Sequence, residues 1–121
     1  MMQRLPDLPD HVVGVVASGK VAASDYESVF VPAVKATLAK HGRVSVLYQL
    51  GPDFEAITPA AMWDDMKLGL THLTAWEKIA VVTDLDWVAG ASRLMGFAVP
   101  CPVKAFANSE FAEAVRWVSA P

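Results

Sequence analysis

The chain has 121 residues and a formal net charge of -3, and 54% of its residues are hydrophobic whereas 19% are charged. This composition excludes a disordered chain, and without a cluster of lysines and arginines a nucleic-acid partner is excluded as well. Cys101 is the single cysteine, so an internal disulfide is excluded and a cytoplasmic location is predicted. No apolar run is long enough for a membrane-spanning helix, and residues 1–10 do not resemble a signal peptide.

The first predicted elements are a strand and a helix. Residues 11–17 (HVVGVVA) form a β-branched run, which is typical of a strand buried on both faces. Ser24 and Glu27 form an S-x-x-E capping box, which predicts a helix that ends at residues 41–42. Pro32 lies within this helix and has no N–H to donate, so we expect the helix to be interrupted there.

The middle of the chain predicts two further strands with a second helix between them. The strands are residues 43–50 (RVSVLYQL) and 77–83 (EKIAVVT). Thr58 followed by Pro59 is typical of a helix start, because threonine caps the helix and proline is well tolerated at the first helical position. The apolar residues that then recur at helical spacing are Met62, Trp63, Met66, Leu70 and Leu73.

The last third of the chain repeats this alternation. Either Asp84 or Asp86 caps a third helix. A fourth strand covers residues 103–107 (VKAFA). Either Asn108 or Ser109 then caps a last helix. The predicted order of elements is therefore β-α-β-α-β-α-β-α.

The alternation predicts the fold class, an α/β domain that covers residues 1–121 as a single unit. We expect a βα superhelix of four turns with a mostly parallel sheet of four to five strands, in which residues 1–5 can add an antiparallel edge strand. Right-handed crossovers that all advance in one direction put the helices mostly on one face of the sheet. The other face would then expose an apolar patch, which the first helix, the N-terminal segment or a second copy could cover, and we predict the second copy, a homodimer.

Residues that could perform catalysis or bind a metal do not form a recognisable set. His11, His41 and His72 are scattered through the chain, and Cys101 has no second cysteine with which to bind a metal. No serine lies in a G-x-S-x-G motif, and no nucleotide-binding glycine loop follows the first strand. The sequence therefore predicts a protein without enzymatic activity, metal or cofactor.

Tryptophan and methionine residues indicate a candidate binding site. The chain has 4 tryptophans, and indole and thioether side chains suit adaptable apolar pockets. The pocket candidates are Trp63, Met66, Trp76, Trp87, Met95 and Phe97. The alternative is that these side chains pack the helices against the sheet. The ligand crevice of an open α/β sheet lies at the carboxyl ends of the strands, which here are residues 18–20, 49–58, 83–87 and Asn108.

Several elements in chain order carry a family resemblance. They are residues 11–13 (HVV), residues 18–20 (SGK), residues 25–26 (DY) with Pro32, Phe54 with Thr58 and Pro59, Trp63, residues 79–82 (IAVV) with Trp87, and Ala114 with Trp117. Over nearly the whole chain these elements resemble the SpoIIAA-like family of the STAS superfamily. The resemblance implies a small STAS fold, similar also to the lipid-binding domain of CRAL-TRIO proteins, with no general enzymatic activity.

The resemblance implies two kinds of function. One is non-enzymatic binding of a lipid or another apolar small molecule, including peripheral contact with a membrane surface. The alternative is a regulatory protein partner of the anti-sigma-factor antagonist type, in which a serine of an Asp-Ser-x-Gly motif at a helix N-terminus is phosphorylated. This motif is missing after the second strand, and Thr58 is the nearest hydroxyl. Thr58 is therefore the candidate phospho-switch, because helix amides and the helix dipole would stabilise a phosphate there, and helix capping is its alternative role.

Overall fold

The computed structural model is built around a five-stranded sheet. It describes residues 1–61, 63, 64, 67, 75–98 and 101–120, and for residues 94–98 it describes the backbone. The strands are β1 (Met2–Arg4), β2 (Val12–Val21), β3 (Val44–Ile57), β4 (Trp76–Val82) and β5 (Val103–Phe106). They lie in the order β1-β2-β3-β4-β5, with β1 antiparallel to β2 and all other pairs parallel. The predicted mostly parallel α/β sheet with an antiparallel edge strand is confirmed.

Strands β2 and β3 run further than the sequence predicts. Their regular pairing ends with Ala17 opposite Leu50, and pairing resumes beyond a bulge at Gly19. Gly19 has a φ of 56°, a left-handed conformation that glycine adopts at little cost, so the bulge stands where a strand end was predicted. The second stretch pairs residues 19–21 with residues 54–57, and we call it the ribbon because no other described strand pairs with it.

The helices are α1 (Ala23–Asp25), a π-helical turn (Tyr26–Phe30), α2 (Val31–His41), α3 (residues 59–61, 63, 64 and 67), α4 (Asp86–Ala98) and α5 (Phe111–Ser119). Pro32 lies in the first turn of α2, where its missing N–H leaves no helical hydrogen bond unmade. The wide π-helical turn directly before it is the predicted interruption. Gly42 ends α2 with a φ of 72°, which confirms the predicted helix end.

The predicted capping box at Ser24 and Glu27 is wrong. The N–H of Ala22 donates to Asp25 Oδ2 at 2.8 Å, so the carboxylate of Asp25 takes the role that the sequence gave to Glu27. The helix begins two residues earlier than the predicted box requires, because Asp25 already supplies a carboxylate at the third helical position.

The predicted cap of the last helix is also wrong. A 3₁₀ turn (Asn108–Glu110) precedes α5, and Glu110 Oε1 accepts a hydrogen bond from the N–H of Ala107 at 2.9 Å. Neither Asn108 nor Ser109 caps the helix with its side chain, since the turn brings Glu110 to the position that reaches back. The side chain of Asn108 is left to make contacts at the sheet edge.

The sheet has two faces, and each is covered within the chain. The first face packs against the segment from α1 to α2, in a cluster that includes Val13, Val15, Val44, Val46, Tyr26, Phe30 and Val34. The second face packs against α5 and the N-terminal segment, in a cluster that includes Val12, Leu47, Ala80, Val82, Val118, Leu5 and Leu8. We call residues 1–5 the arm. The homodimer was predicted from a bare second face, and that premise is wrong, whereas the homodimer itself remains a prediction.

Gly14 of β2 allows the arm to lie directly on the second face. The N–H of Leu5 donates to the carbonyl of Gly14 at 2.8 Å, which continues the pairing of β1 with β2. A Cβ at position 14 would overlap with Leu8 Cδ1 and would lie 3.2 Å from Leu5 Cβ. A side chain larger than glycine at position 14 would therefore displace the arm.

Candidate functional site

The carboxyl ends of β3, β4 and β5 are joined by polar side chains. Gln49 Nε2 donates to Asn108 Oδ1 at 3.0 Å, and Asn108 Nδ2 donates to Asp84 Oδ2 at 3.1 Å. Asn108 Nδ2 also lies 3.3 Å from the carbonyl oxygen of Leu50. The structure thus brings together three of the segments that were predicted to border the crevice, and Asn108 is the residue that connects them.

Asp84 is held by the turn that follows β5. Its Oδ1 accepts the backbone N–H of Asn108 at 3.0 Å, in addition to the side-chain contact. The backbone hydrogen bond first, and the side-chain hydrogen bond second, lower the pKa of Asp84 below its usual value. Asp84 therefore stabilises the turn before α5 as an anion. Beside it, the buried hydroxyl of Thr83 accepts the N–H of Leu85 at 3.0 Å and fixes the loop into α4.

The chemistry of this edge is that of a scaffold. Asp84 accepts only from amides, and no hydroxyl or thiol nucleophile is hydrogen-bonded to it in the part of the chain that the structure describes. Cys101 is half-buried, and burial raises the pKa of its thiol, which leaves less thiolate at neutral pH. Among the described residues, no group of three His, Cys, Asp or Glu side chains could hold a metal ion.

Two of the tryptophan candidates lie on the molecular surface. Trp63 of α3 is 59% exposed and Trp87 of α4 is 63% exposed, and Leu85 in the loop before α4 is 37% exposed. Helix α4 follows β4 directly, so Trp87 in its first turn lies at the carboxyl edge of the sheet, whereas α3 with Trp63 begins at the end of the ribbon. We call Trp63, Leu85 and Trp87 the tryptophan surface.

The other pocket candidates are placed differently. Trp76 is 7% exposed and belongs to the core cluster of the first face, at the first position of β4. Its place next to a β-branched run was the signal in the sequence for this packing role. Met66 lies outside the described residues, as do the side chains of Met95 and Phe97, although both residues belong to α4. The three tryptophans among the pocket candidates therefore do not line one common pocket.

Thr58 caps α3, as the sequence predicts. Its Oγ1 accepts the N–H of Ala61 at 3.2 Å, and its own N–H donates to the carbonyl of Val21 at 2.9 Å. The side chain is half-buried, so the hydroxyl lies at the boundary between the ribbon and solvent.

An open groove of about 750 Å³ lies along the ribbon. Its lining includes Ser18, Lys20, Asp53, Phe54 and Glu55, which come from two of the predicted crevice segments. One cation and two carboxylates thus share the groove with one aromatic ring, a mixed chemistry that favours no single ligand class. No helix formed by the described residues has the length and apolar character needed to cross a membrane.

The comparisons with known proteins agree with this architecture. A family model described as SpoIIAA-like matches residues 12–119. A solved structure of an uncharacterised protein from Shewanella loihica PV-4, with a SpoIIAA-like fold, is similar with a TM-score of 0.71. The two chains are 23% identical, and the match covers 98% of this chain and 92% of the other, so it shows the fold. No curated protein matches the chain.

Proposed function

The chain belongs to the SpoIIAA-like family, and we propose that it is a non-enzymatic protein-interaction module whose contact area is the tryptophan surface. Domains of this family are generally non-enzymatic and typically mediate protein interactions. The proposal rests on the exposure of Trp63 and Trp87, which are 59% and 63% accessible, and on the place of Trp87 at the edge where α/β sheets bind their ligands. Tryptophan is among the residues that most often dominate the binding energy of protein interfaces.

The charges around the tryptophan surface favour a protein partner over a lipid. Asp84 and Asp86 are exposed on either side of Leu85, and Asp64 follows Trp63 directly. Anionic lipid headgroups would be repelled by these carboxylates, whereas lysine and arginine residues around an apolar patch would complement them. We therefore expect a partner that presents apolar anchors with a basic rim. Binding of a lipid or another apolar ligand is the alternative hypothesis, and co-flotation with vesicles tests it.

The hydrogen bonds that join Gln49, Asn108 and Asp84 hold one part of the contact area in place. Asn108 ties the end of β3 to Asp84, which precedes Leu85 and Trp87 in the chain. A binding residue held by a hydrogen-bonded loop loses less conformational entropy when the partner arrives. The network therefore supports binding by holding Leu85 and Trp87 in place.

Thr58 is the proposed point of regulation. It lies in the first turn of the helix that carries Trp63, and its Oγ1 is already aimed at a helix N–H. A phosphate on this oxygen would add negative charge to a surface that is already acidic and would change its match to a basic partner. Thr58→Glu should therefore alter partner retention, whereas Thr58→Val should leave it unchanged after correction for the loss of the cap.

The decisive experiment compares retention of partner proteins by matched variants. Trp63→Ser and Trp87→Ser should each reduce retention of the same proteins from source-cell extract by at least about tenfold, because removing an interface tryptophan costs about 2 kcal/mol or more. Arg116→Ser is the control, since Arg116 is exposed on α5 away from this surface. Retention that decreases as the salt concentration rises would support a partner with a basic rim.

Two outcomes would contradict the proposal. Equal retention by the wild type and both tryptophan variants would show that the tryptophan surface is not the contact area. Co-flotation with phosphatidylcholine and phosphatidylglycerol vesicles that is lost in Trp63→Ser and Trp87→Ser would instead assign the surface to lipid.

A further inference from the structure

The segment that joins the arm to β2 contains an unfavourable backbone conformation. Asp7 has a φ of 62°, and it is the single non-glycine residue with a positive φ among the described residues. The left-handed region crowds any side chain with a Cβ, although aspartate tolerates it better than most residues. We call residues 6–11 the hinge. In its closed form the hinge depends on this one conformation to turn the arm back onto the sheet.

The prolines of the hinge favour an extended chain. Pro6 and Pro9 each fix φ near −65°, and each restricts the preceding residue to extended conformations. An opened hinge satisfies both prolines and no longer needs a left-handed residue. Short hinges under strain are the kind that exchange an element between identical chains.

The contacts of the arm do not require that it belongs to the same chain as β2. Met2 is 3% exposed and pairs opposite Ala17, and the N–H of Leu5 donates to Gly14 at 2.8 Å. Leu8 belongs to the hinge, so its contact over Gly14 is lost when the hinge opens. A second copy of the chain offers the same β2 edge, so an exchanged arm would keep the contacts of Met2 and Leu5.

We propose that two copies of this chain exchange their arms, so that each arm forms β1 and covers the second face on the other copy. The six residues 6–11 span roughly 20 Å when extended, which is enough to reach a neighbour across a two-fold axis. Exchange releases the strain at Asp7 in both hinges, and it is opposed by the loss of the Leu8 contact and by the loss of translational and rotational freedom on association. The arm is separate from α3, α4 and the loop that carry the tryptophan surface. The exchange therefore does not depend on the function proposed above.

A designed disulfide between β1 and β2 shows whether the arm comes from the same chain or from the other copy. Gln3 lies opposite Val16 in the register of β1 and β2, and paired antiparallel residues have Cα separations that a disulfide accepts. The chain therefore carries Gln3→Cys and Val16→Cys together with Cys101→Ser. Oxidation of the exchanged dimer links two chains, and a non-reducing gel then shows twice the mass of 13.0 kDa. A disulfide that leaves every chain at 13.0 kDa would overturn the proposal.

Light scattering of hinge variants over a concentration series gives an independent measurement. Glycine adopts a φ of 62° freely, so Asp7→Gly should stabilise the closed hinge and raise the dimer dissociation constant by about tenfold for each of the two hinges. Asp10→Gly is the matched control, because Asp10 lies in the same hinge without a positive φ, and it should not favour the monomer. A wild-type mass of 13.0 kDa at every concentration, or an unchanged dissociation constant in Asp7→Gly, would also overturn the proposal.

Discussion

The two faces of the sheet are covered by different parts of the chain. The first face is covered by α1, the π-helical turn and α2, which are tied to strands at both of their ends. The second face is covered by α5 and by the arm, which forms the edge strand β1 and pairs with β2 alone. Because an edge element can detach without unfolding its neighbours, we expect local opening to be concentrated on the second face.

The two faces also differ in how completely their hydroxyl groups are hydrogen-bonded. On the first face, the hydroxyl groups of Tyr26 and Tyr48 lie 2.9 Å apart and hydrogen-bond to each other. On the second face, Ser45 is 1% exposed and its hydroxyl has no hydrogen-bond partner among the described residues. The first face is thus both better anchored and better satisfied, and the predictions that follow are designed to test this difference.

The largest expected effect comes from the aromatic cluster of the first face. Phe30 is 3% exposed, and its ring meets the rings of Tyr26 and Tyr48 edge to face with centroids 5.6 and 6.1 Å away. Phe30→Ala should lower the free energy of unfolding by about 3–5 kcal/mol, because it removes a buried ring and leaves a cavity. Urea unfolding measures this, and a loss below about 1 kcal/mol would show that the cluster does not anchor the fold.

A matched pair of valines compares the two faces directly. Val34 of α2 and Val118 of α5 are both fully buried, at 0% exposure. Val34→Ala and Val118→Ala should each cost about 2 kcal/mol, since each removes two methyl groups from a core. Hydrogen exchange should separate them, because Val118→Ala should speed exchange mainly within α5 whereas Val34→Ala should speed it throughout the sheet. The same exchange pattern in both variants would contradict the difference between the faces.

Lys78 fastens the end of α5 to the second face. Its Nζ donates to the carbonyls of Trp117 at 3.1 Å and Ala120 at 3.0 Å, and it lies 5.5 Å from the centroid of the Trp117 ring. Lys78→Met keeps the apolar stem but removes the charge that stabilises the helix C-terminus, so it should cost about 1 kcal/mol. The free energy of unfolding and the intrinsic fluorescence should both change, and Lys104→Met is the control because Lys104 is an exposed lysine over the same ring.

Ser45→Ala tests the unsatisfied hydroxyl and should act in the opposite direction. Removing a buried polar group that lacks a partner should be neutral or should stabilise the protein by up to about 1 kcal/mol. Ser28→Ala is a suitable comparison, because the exposed Ser28 hydroxyl donates to the carbonyl of Ser24 at 2.6 Å. A clear loss of stability in Ser45→Ala under urea would mean that its hydroxyl is hydrogen-bonded in solution.

The smallest effect is the pH dependence that Asp84 contributes. Its pKa is lowered in the folded protein, first by the backbone N–H of Asn108 and then by the Asn108 side chain. The stabilisation is therefore complete above the pKa of the unfolded chain, and it is lost as pH falls through the lower pKa of the folded protein. The side chain in Asp84→Asn cannot titrate, so the difference in the free energy of unfolding between this variant and the wild type should be larger at pH 7 than at strongly acid pH. A difference that stays constant with pH would contradict this role.

The features that the sequence predicted correctly are those set by neighbouring residues. Pro32 interrupts its helix because a missing N–H acts locally, and Thr58 caps α3 because threonine and proline together define a helix start. The alternation of strands and helices predicted the parallel sheet for the same reason, since a crossover is short and has one hand.

Several features that the sequence did not predict depend on residues far apart in the chain. Asn108 connects to Gln49 and Asp84 across the sheet edge, and nothing in its immediate neighbours distinguishes this role from a helix cap. Trp76 and Trp87 share a residue type, yet one is buried and the other exposed, because the burial of an indole is set by the elements that fold over it. The packing of the arm against the second face likewise depends on residues that are far apart in the chain.

The ribbon gives the two halves of the tryptophan surface different mechanical support. Trp87 follows a strand that is paired on both sides, whereas α3 with Trp63 starts where the ribbon ends, at Thr58. A two-stranded ribbon twists more readily than a wide sheet, although Phe54 and Ile57 pack it against the first-face cluster. We therefore expect Trp87 to be held more rigidly than Trp63, so that in the proposed interface Trp63 adjusts to the shape of the partner.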